Sequence, residues 1–199
     1  MRGVEARDQL FRPRHVVMAN DSDDARLVED CRRGDDRAFE ILVHRHGRAV
    51  FSAIYRLVHH YEDSRDLSQT VFLKAYRELR SYDPRYKFFS WIYRIAVNEA
   101  LNHLKRAGRQ EPLGDAEVVS ERSGPDHAAE GSETSRLVQE ALMSIKPDFR
   151  AVLVLRHFMD CSYQDIATIL EIPEKTVKSR LFDARRELRD LLSERGVRR

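Results

Sequence analysis

Lys175, Lys178, Ser179 and Phe182 stand at positions i, i+3, i+4 and i+7 of one run, the spacing that places side chains on one face of a helix. Two ammonium groups, a hydroxyl and an aromatic ring break no bonds, but together they suit phosphates, base edges and the methyl of thymine. On the other side of the run Val177, Leu181, Ala184, Leu188 and Leu191 step by four, three, four and three, an apolar stripe that faces a core. Upstream, Ile166, Ala167, Leu170 and Ile172 read as inward positions of a second, crossing helix, with Ala167 small where the two approach. The connection Glu171-Ile172-Pro173 is as short as a helix-turn-helix requires. A solvated basic helix would carry the same charges. The short turn, the small residue and the aligned stripe favour a DNA-binding helix-turn-helix between Ser162 and Leu188.

The net charge of +2 says little about partners, but its distribution says more. Asp83–Gln110 holds six Lys/Arg against two acids, Glu111–Glu133 holds seven acids against Arg122 alone, and Lys175–Arg189 holds six Lys/Arg against Asp183 and Glu187. Two basic blocks flank an acidic one, and basic blocks are electrostatic footprints for phosphate. The two cysteines, Cys31 and Cys161, make no CxxC and no Cys/His cluster, so neither a zinc site nor a disulfide scaffold is suggested. No paired carboxylates with a pocket, Ser/His/Asp order or phosphate-cradling glycine loop appears, so no catalytic residue, cofactor or metal ligand is expected. His44-Arg45-His46 and His59-His60 come nearest to a metal site, but helical geometry does not bring either pair to one point, and solvated histidines are expected. No apolar run approaches the ~20 residues of a membrane span and no secretory signal leads the chain, so a cytoplasmic location is expected.

The elements that position these residues are all helical. Asp21 or Ser22 caps a helix ending at Gly34. Others are expected over Asp36–His60, Asp63–Leu79, Phe88–Arg106, Ser135–Ile145, Pro147–Phe158 and Ser162–Leu170, and from Pro173 at the first helical position to Leu192. In the third, Leu67, Val71, Ala75 and Leu79 recur at fours on one face. The fold class expected is all-α, two small helical domains joined by a flexible acidic linker. The divisions are a disordered extension over 1–20 (with Met18 as an alternative start), a first domain over 21–108, a linker over 109–133, a second domain over 134–193 and a basic tail over 194–199.

The run DSRDLSQTVFLKAYREL (Asp63–Leu79), followed by FFSWIYRIAVNEALNHLKR (Phe88–Arg106), resembles the second conserved region of bacterial sigma factors. With IPEKTVKSRLFDARREL (Ile172–Leu188), the chain resembles an extracytoplasmic-function (ECF) sigma factor of RNA polymerase from about Asp23 to Leu192. The resemblance implies an alternative sigma factor, built of sigma domains 2 and 4, that directs core polymerase to specific promoters. It implies docking of the Asp63–Leu79 helix on the β′ clamp helices, with Arg65, Asp66, Gln69, Phe72 and Arg77 as contacts; Phe72 is equally well placed for packing within its domain. The next block would open and read the −10 element through Tyr82, Arg85, Tyr86, Lys87, Phe88, Phe89, Arg94, Asn98 and Asn102, since aromatic side chains stack on unpaired bases for about 1–3 kcal/mol each. Trp91, sharing a face with Ile95, is assigned to the core.

In the second domain the resemblance makes Arg156, Tyr163, Pro173, Lys175, Thr176, Lys178, Ser179, Arg180 and Phe182 the −35 readers. Lys175 stands where the family often has Gly, and Asp183 where it often has a basic residue, two departures that bear on promoter preference. Further partners implied are the β flap and an anti-sigma factor, membrane-anchored or soluble; no small-molecule substrate is expected. The acidic linker would thread toward the polymerase cleft and RNA exit channel, or serve as a plain solubilising tether. A stand-alone helix-turn-helix regulator is the alternative reading; it explains the second domain but neither the aromatic-basic block nor the docking helix.

Overall fold

The computed structural model describes residues 21–110 and 133–196. The expected N-terminal extension, nearly all of the acidic linker and the last three residues of the basic tail lie outside them. Among the described residues there are eight α-helices, one 3-10 turn and no strand, and no helix is long and apolar enough to cross a membrane.

The first four helices form one body. α1 (Asp21–Arg32) crosses α2 (Asp36–Val58), whose N-terminus is capped by the Asp35 side chain accepting from the Arg37 amide. Leu42, His46, Ala49, Val50, Ala53, Ile54 and Leu57 make the buried stripe of α2. α3 (Tyr61–Glu78) buries Val71 and Ala75 against it, and a 3-10 turn at Leu79–Ser81 leads toward α4 (Phe88–Gln110). Several boundaries differ from expectation, three of them notably. α3 begins two residues early because the His60 imidazole accepts from the Asp63 amide, a cap outside the usual Ser/Thr/Asp/Asn set. α4 runs through Gly108 rather than stopping at it. Pro173 is the N-cap of α8 rather than its first helical residue.

The remaining four helices, α5 (Glu133–Ser144), α6 (Pro147–His157), α7 (Tyr163–Leu170) and α8 (Glu174–Glu194), form the second body. α7 opens on a capping box: the Ser162 hydroxyl accepts from the Asp165 amide at 3.0 Å while the Asp165 carboxylate accepts from the Ser162 amide at 3.1 Å. α7 ends at Glu171, whose φ of 53° is left-handed, making the sharp turn into α8 without a glycine. Ile166 and Ile169 of α7 meet Val177, Leu181, Ala184 and Leu188 of α8 in the core. Ile169 takes the depth expected of Leu170, which is only half-buried together with Ala167 and Ile172. The two bodies touch directly: α4 packs on α7 and α6, and α2 on α5 and α6.

His46 is buried rather than solvated. It falls on the inward stripe of α2, where its Nε2 lies 2.8 Å from the buried Asp24 carboxylate of α1 and its ring stands 5.2 Å from that of Phe88. Arg45 holds the other Asp24 oxygen at 2.5 Å. This is a structural tie between α1 and α2; among the described residues no three ligating side chains are placed to hold a metal.

Candidate nucleic-acid interface

The exposed face of α8 carries Lys175, Lys178, Ser179 and Phe182, with Pro173 and Lys175 exposed at its start and Thr176 and Arg180 half-covered along its edge. Phe182 is 68% exposed, which costs free energy unless a partner covers it. Lys178 lies 2.7 Å from Glu174, whose carboxylate holds its ammonium above the ordinary lysine value. Tyr163 of α7 sits between two cations, with Arg156 5.5 Å and Lys178 5.9 Å from its ring centroid. Arg156 also donates to the Cys161 carbonyl at 3.0 Å, which fixes its direction. The structure thus gathers the −35 candidates on one surface that joins the N-terminus of α8 to the side of α7. The helix dipole adds to the positive field at that end.

The block between α3 and α4 sorts into two sets. Tyr82 (4% exposed) and Phe88 (1%) are core residues, against the expectation that both face a nucleic acid. Their rings pack on each other and on the buried Trp91 at 5.4–5.8 Å between centroids. The Tyr82 hydroxyl donates to the Tyr86 carbonyl at 2.5 Å. Arg32 of α1 binds the carbonyls of Leu79 and Tyr82 and lies over the Tyr82 ring, so the turn is fixed from behind. The aromatics left accessible are Tyr86, exposed on the loop, and Phe89, half-buried with Lys87 over its ring at 5.3 Å. Arg85 is exposed and held by Asp83 at 2.5 Å, an arrangement that keeps the Asp83 carboxyl below its ordinary value. Arg94, Asn98 and Asn102 follow at fours along one edge of α4, the two asparagines exposed. Tyr93 is buried against the second body, which pushes its phenol well above the usual range.

A third surface lies on α3. Arg65, Asp66, Gln69 and Arg77 are exposed, with Arg65 paired to Glu62 at 3.1 Å, while Phe72 is half-buried. The large apolar residues of this helix that do reach solvent are Leu73 (59% exposed) and Tyr76. Sequence reasoning passed over them. The signal was present: Leu73 and Tyr76 fall outside the Leu67–Val71–Ala75 stripe and still are large and apolar. The Tyr76 hydroxyl donates to Asp36 at 2.7 Å, and that bond raises its pKa.

Comparison with known proteins agrees with this layout. Residues 42–110 match the family model "Sigma-70 region 2", and residues 135–188 match "Sigma-70, region 4". The RNA polymerase sigma-H factor of Pseudomonas aeruginosa is 36% identical, over 84% of this chain and 93% of its own length. The ECF RNA polymerase sigma-E factor of Escherichia coli K12 is likewise 36% identical, over 84% and 93%. Among solved structures, CnrH in complex with the cytosolic domain of CnrY superposes with a TM-score of 0.67 at 28% identity, over 86% of this chain and 98% of that one. The sigma factor RpoE bound to the anti-sigma factor NepR from Bartonella quintana gives 0.65 at 26%, over 81% and 98%. By identity over nearly the full length of these relatives, and by family models matching both helical bodies, the chain belongs to the extracytoplasmic-function sigma factors of bacterial RNA polymerase.

Proposed function

We propose that the three surfaces divide the work of promoter recognition in the cytoplasm. The α3 surface docks core polymerase on its β′ clamp helices, with Leu73 and Tyr76 added to Arg65, Asp66, Gln69 and Arg77. The second body engages the β flap and reads the −35 element as duplex through Arg156, Tyr163, Pro173, Lys175, Thr176, Lys178, Ser179, Arg180 and Phe182. The first body, residues 21–108, holds the −10 element as single strand through Arg85, Tyr86, Lys87, Phe89, Arg94, Asn98 and Asn102. Tyr82 and Phe88 act one layer beneath, holding the Asp83–Lys87 loop in shape. An anti-sigma factor restrains the chain; both solved relatives above were captured with a partner chain, and one of these partners, NepR, is named as an anti-sigma factor.

The observation that carries this reading is the separation of the surfaces. Two cationic faces with accessible aromatics lie on different helical bodies, and an apolar-rimmed polar face lies on a third side. Polymerase would supply the chemistry of RNA synthesis and this chain the direction. Run-off transcription with purified core enzyme on a genomic promoter library tests it. Initiation at a discrete set of promoters is the expected result; duplex binding without association with core would instead point to a stand-alone regulator.

A further inference from the structure

The loop between α3 and α4 has its exposed tip at Arg85, Tyr86 and Lys87, while Tyr82 and Phe88 on either side of it are buried. Asp83 shapes the tip locally. Its carboxylate accepts from the Arg85 amide at 3.0 Å and its carbonyl from the Tyr86 amide at 3.1 Å. Such a turn gives the tip a shape but not a direction on the molecule. The direction comes from Tyr82, which is tied at both ends. Its carbonyl accepts from Arg32, and its hydroxyl reaches under the loop to donate to the Tyr86 carbonyl at 2.5 Å. The side chain is thus a strut from the entry of the loop to its far side.

Arg32 holds the strut in place. Its guanidinium donates to the Leu79 carbonyl at 3.2 Å and the Arg80 carbonyl at 3.4 Å as well as to that of Tyr82, and it lies 5.9 Å from the Tyr82 ring centroid. These carbonyls close α3 and its 3-10 turn, where backbone oxygens lack partners within their own helix. A planar fork with several donors can meet all three. Arg32 stands in the last turn of α1, and α1 precedes the residues that match sigma-70 region 2. It belongs to none of the three surfaces described above.

We propose that Arg32 is a positioning residue for −10 recognition. By fixing Tyr82 it sets the direction in which Arg85, Tyr86 and Lys87 are presented, and so the discrimination between bases at the position they meet, without itself touching the strand. A loop ordered in advance gives up less entropy when a base enters. It discriminates because a base that misses its contacts leaves polar groups unpaired. A loop free to shift follows the wrong base as well, so loss of the brace costs the preferred base more than the others. The proposal rests on the reading of this loop as a −10 contact, and its test separates the two.

The test uses the full-length chain, free and in complex with core polymerase. Arg32→Ala removes the brace, and Arg32→Lys keeps the charge with a single nitrogen. Tyr82→Phe keeps the buried ring and removes only the bond to the Tyr86 carbonyl. Circular dichroism shows which variants are folded; if Arg32→Ala is not, Arg32→Lys takes its place. Trypsin cleavage after Arg85 and Lys87, identified by mass, reports the order of the loop. In the polymerase complex, affinity is measured for promoter fragments in which each −10 position of the unpaired strand carries each of the four bases in turn. Cleavage is expected to rise by about five-fold or more in Arg32→Ala and Tyr82→Phe, from the loss of bonds that hold the loop closed. The ratio of affinities for the preferred and the next base should fall by about five-fold at one or two adjacent positions, with association with core unchanged. Wild-type cleavage in either variant overturns the brace. Faster cleavage with affinity lowered equally for all bases, or not lowered, makes Arg32 a structural residue only and overturns the positioning role. Tyr86→Ala, at the exposed tip, tests the reading beneath: unchanged discrimination at every −10 position takes the loop out of −10 recognition, and the proposal with it.

Discussion

Lys178 is held by Glu174 on its own helix and by the Tyr163 ring on the helix before it. A lysine so placed is oriented before DNA arrives, and its ammonium stays charged well above neutral pH. Lys178→Ala is expected to weaken binding of the polymerase–sigma complex to −35-dependent promoters. If the ammonium meets a base edge, the loss is about 1–3 kcal/mol and is confined to one base position; if it meets a phosphate, the loss is uniform across sequences and the salt slope falls by about one. Titrations at several salt concentrations on two promoter variants tell these apart, and association with core should not change. At the other end of the chain, burial and the nearby Asp35 raise the Cys31 thiol from 9.0 to about 11. The fold thus favours the protonated thiol. Its contribution to stability is complete below about pH 9 and is lost as pH rises through about 11. Alkylation of Cys31 in native protein should accordingly follow a midpoint near pH 11 rather than 9, and Cys31→Ala should flatten the fall in denaturation midpoint over that window.

Of the elements, α3 shows how one helix separates packing from recognition. Val71 and Ala75 are fully buried, yet Leu73 and Tyr76 on the opposite side are open to water. Leu73→Glu should therefore leave stability within about 0.5 kcal/mol of wild type while weakening association with core polymerase, measured by co-purification or fluorescence anisotropy. Equal core binding would take Leu73 out of the docking surface. The helices themselves were legible from sequence because their stripes recur at threes and fours, and Ser162-x-x-Asp165 even spells out a cap. Burial within the aromatic block was not legible. Tyr82, Tyr86, Phe88 and Phe89 are chemically alike and adjacent, and only the arrival of Arg32 from α1 and of the His46 ring from α2 decides that two of them face inward. The same holds for His46, whose partner Asp24 lies on another helix. Removing that partner leaves His46 and Arg45 without their shared carboxylate, so Asp24→Ala is expected to destabilise the first domain by about 3 kcal/mol, read from denaturant unfolding.

At the scale of the whole molecule the two domains are joined by groups that a linear reading assigns to neither site. Sequence period finds α6, but it cannot show that Arg150 reaches across to the end of α2. Burial lowers this guanidinium well below its ordinary value, to about 10, the sign of a cation kept from water without a carboxylate beside it. Three carbonyl oxygens from two domains take the place of a counter-ion, an arrangement only a planar fork with several donors can satisfy. Lysine keeps the charge but offers a single nitrogen, which cannot meet carbonyls on both α2 and α5. Arg150→Lys is therefore expected to lower stability by about 2 kcal/mol, through carbonyls left buried and unpaired. Part of that loss belongs to domain 4, whose α5–α6 turn the same side chain holds, and part to the contact between the two bodies. Denaturant unfolding measures the sum, and scattering in native buffer measures the second part. Expansion well below the unfolding midpoint would show that Arg150 holds the domains together, whereas a compact variant with reduced stability would confine its role to the α5–α6 turn.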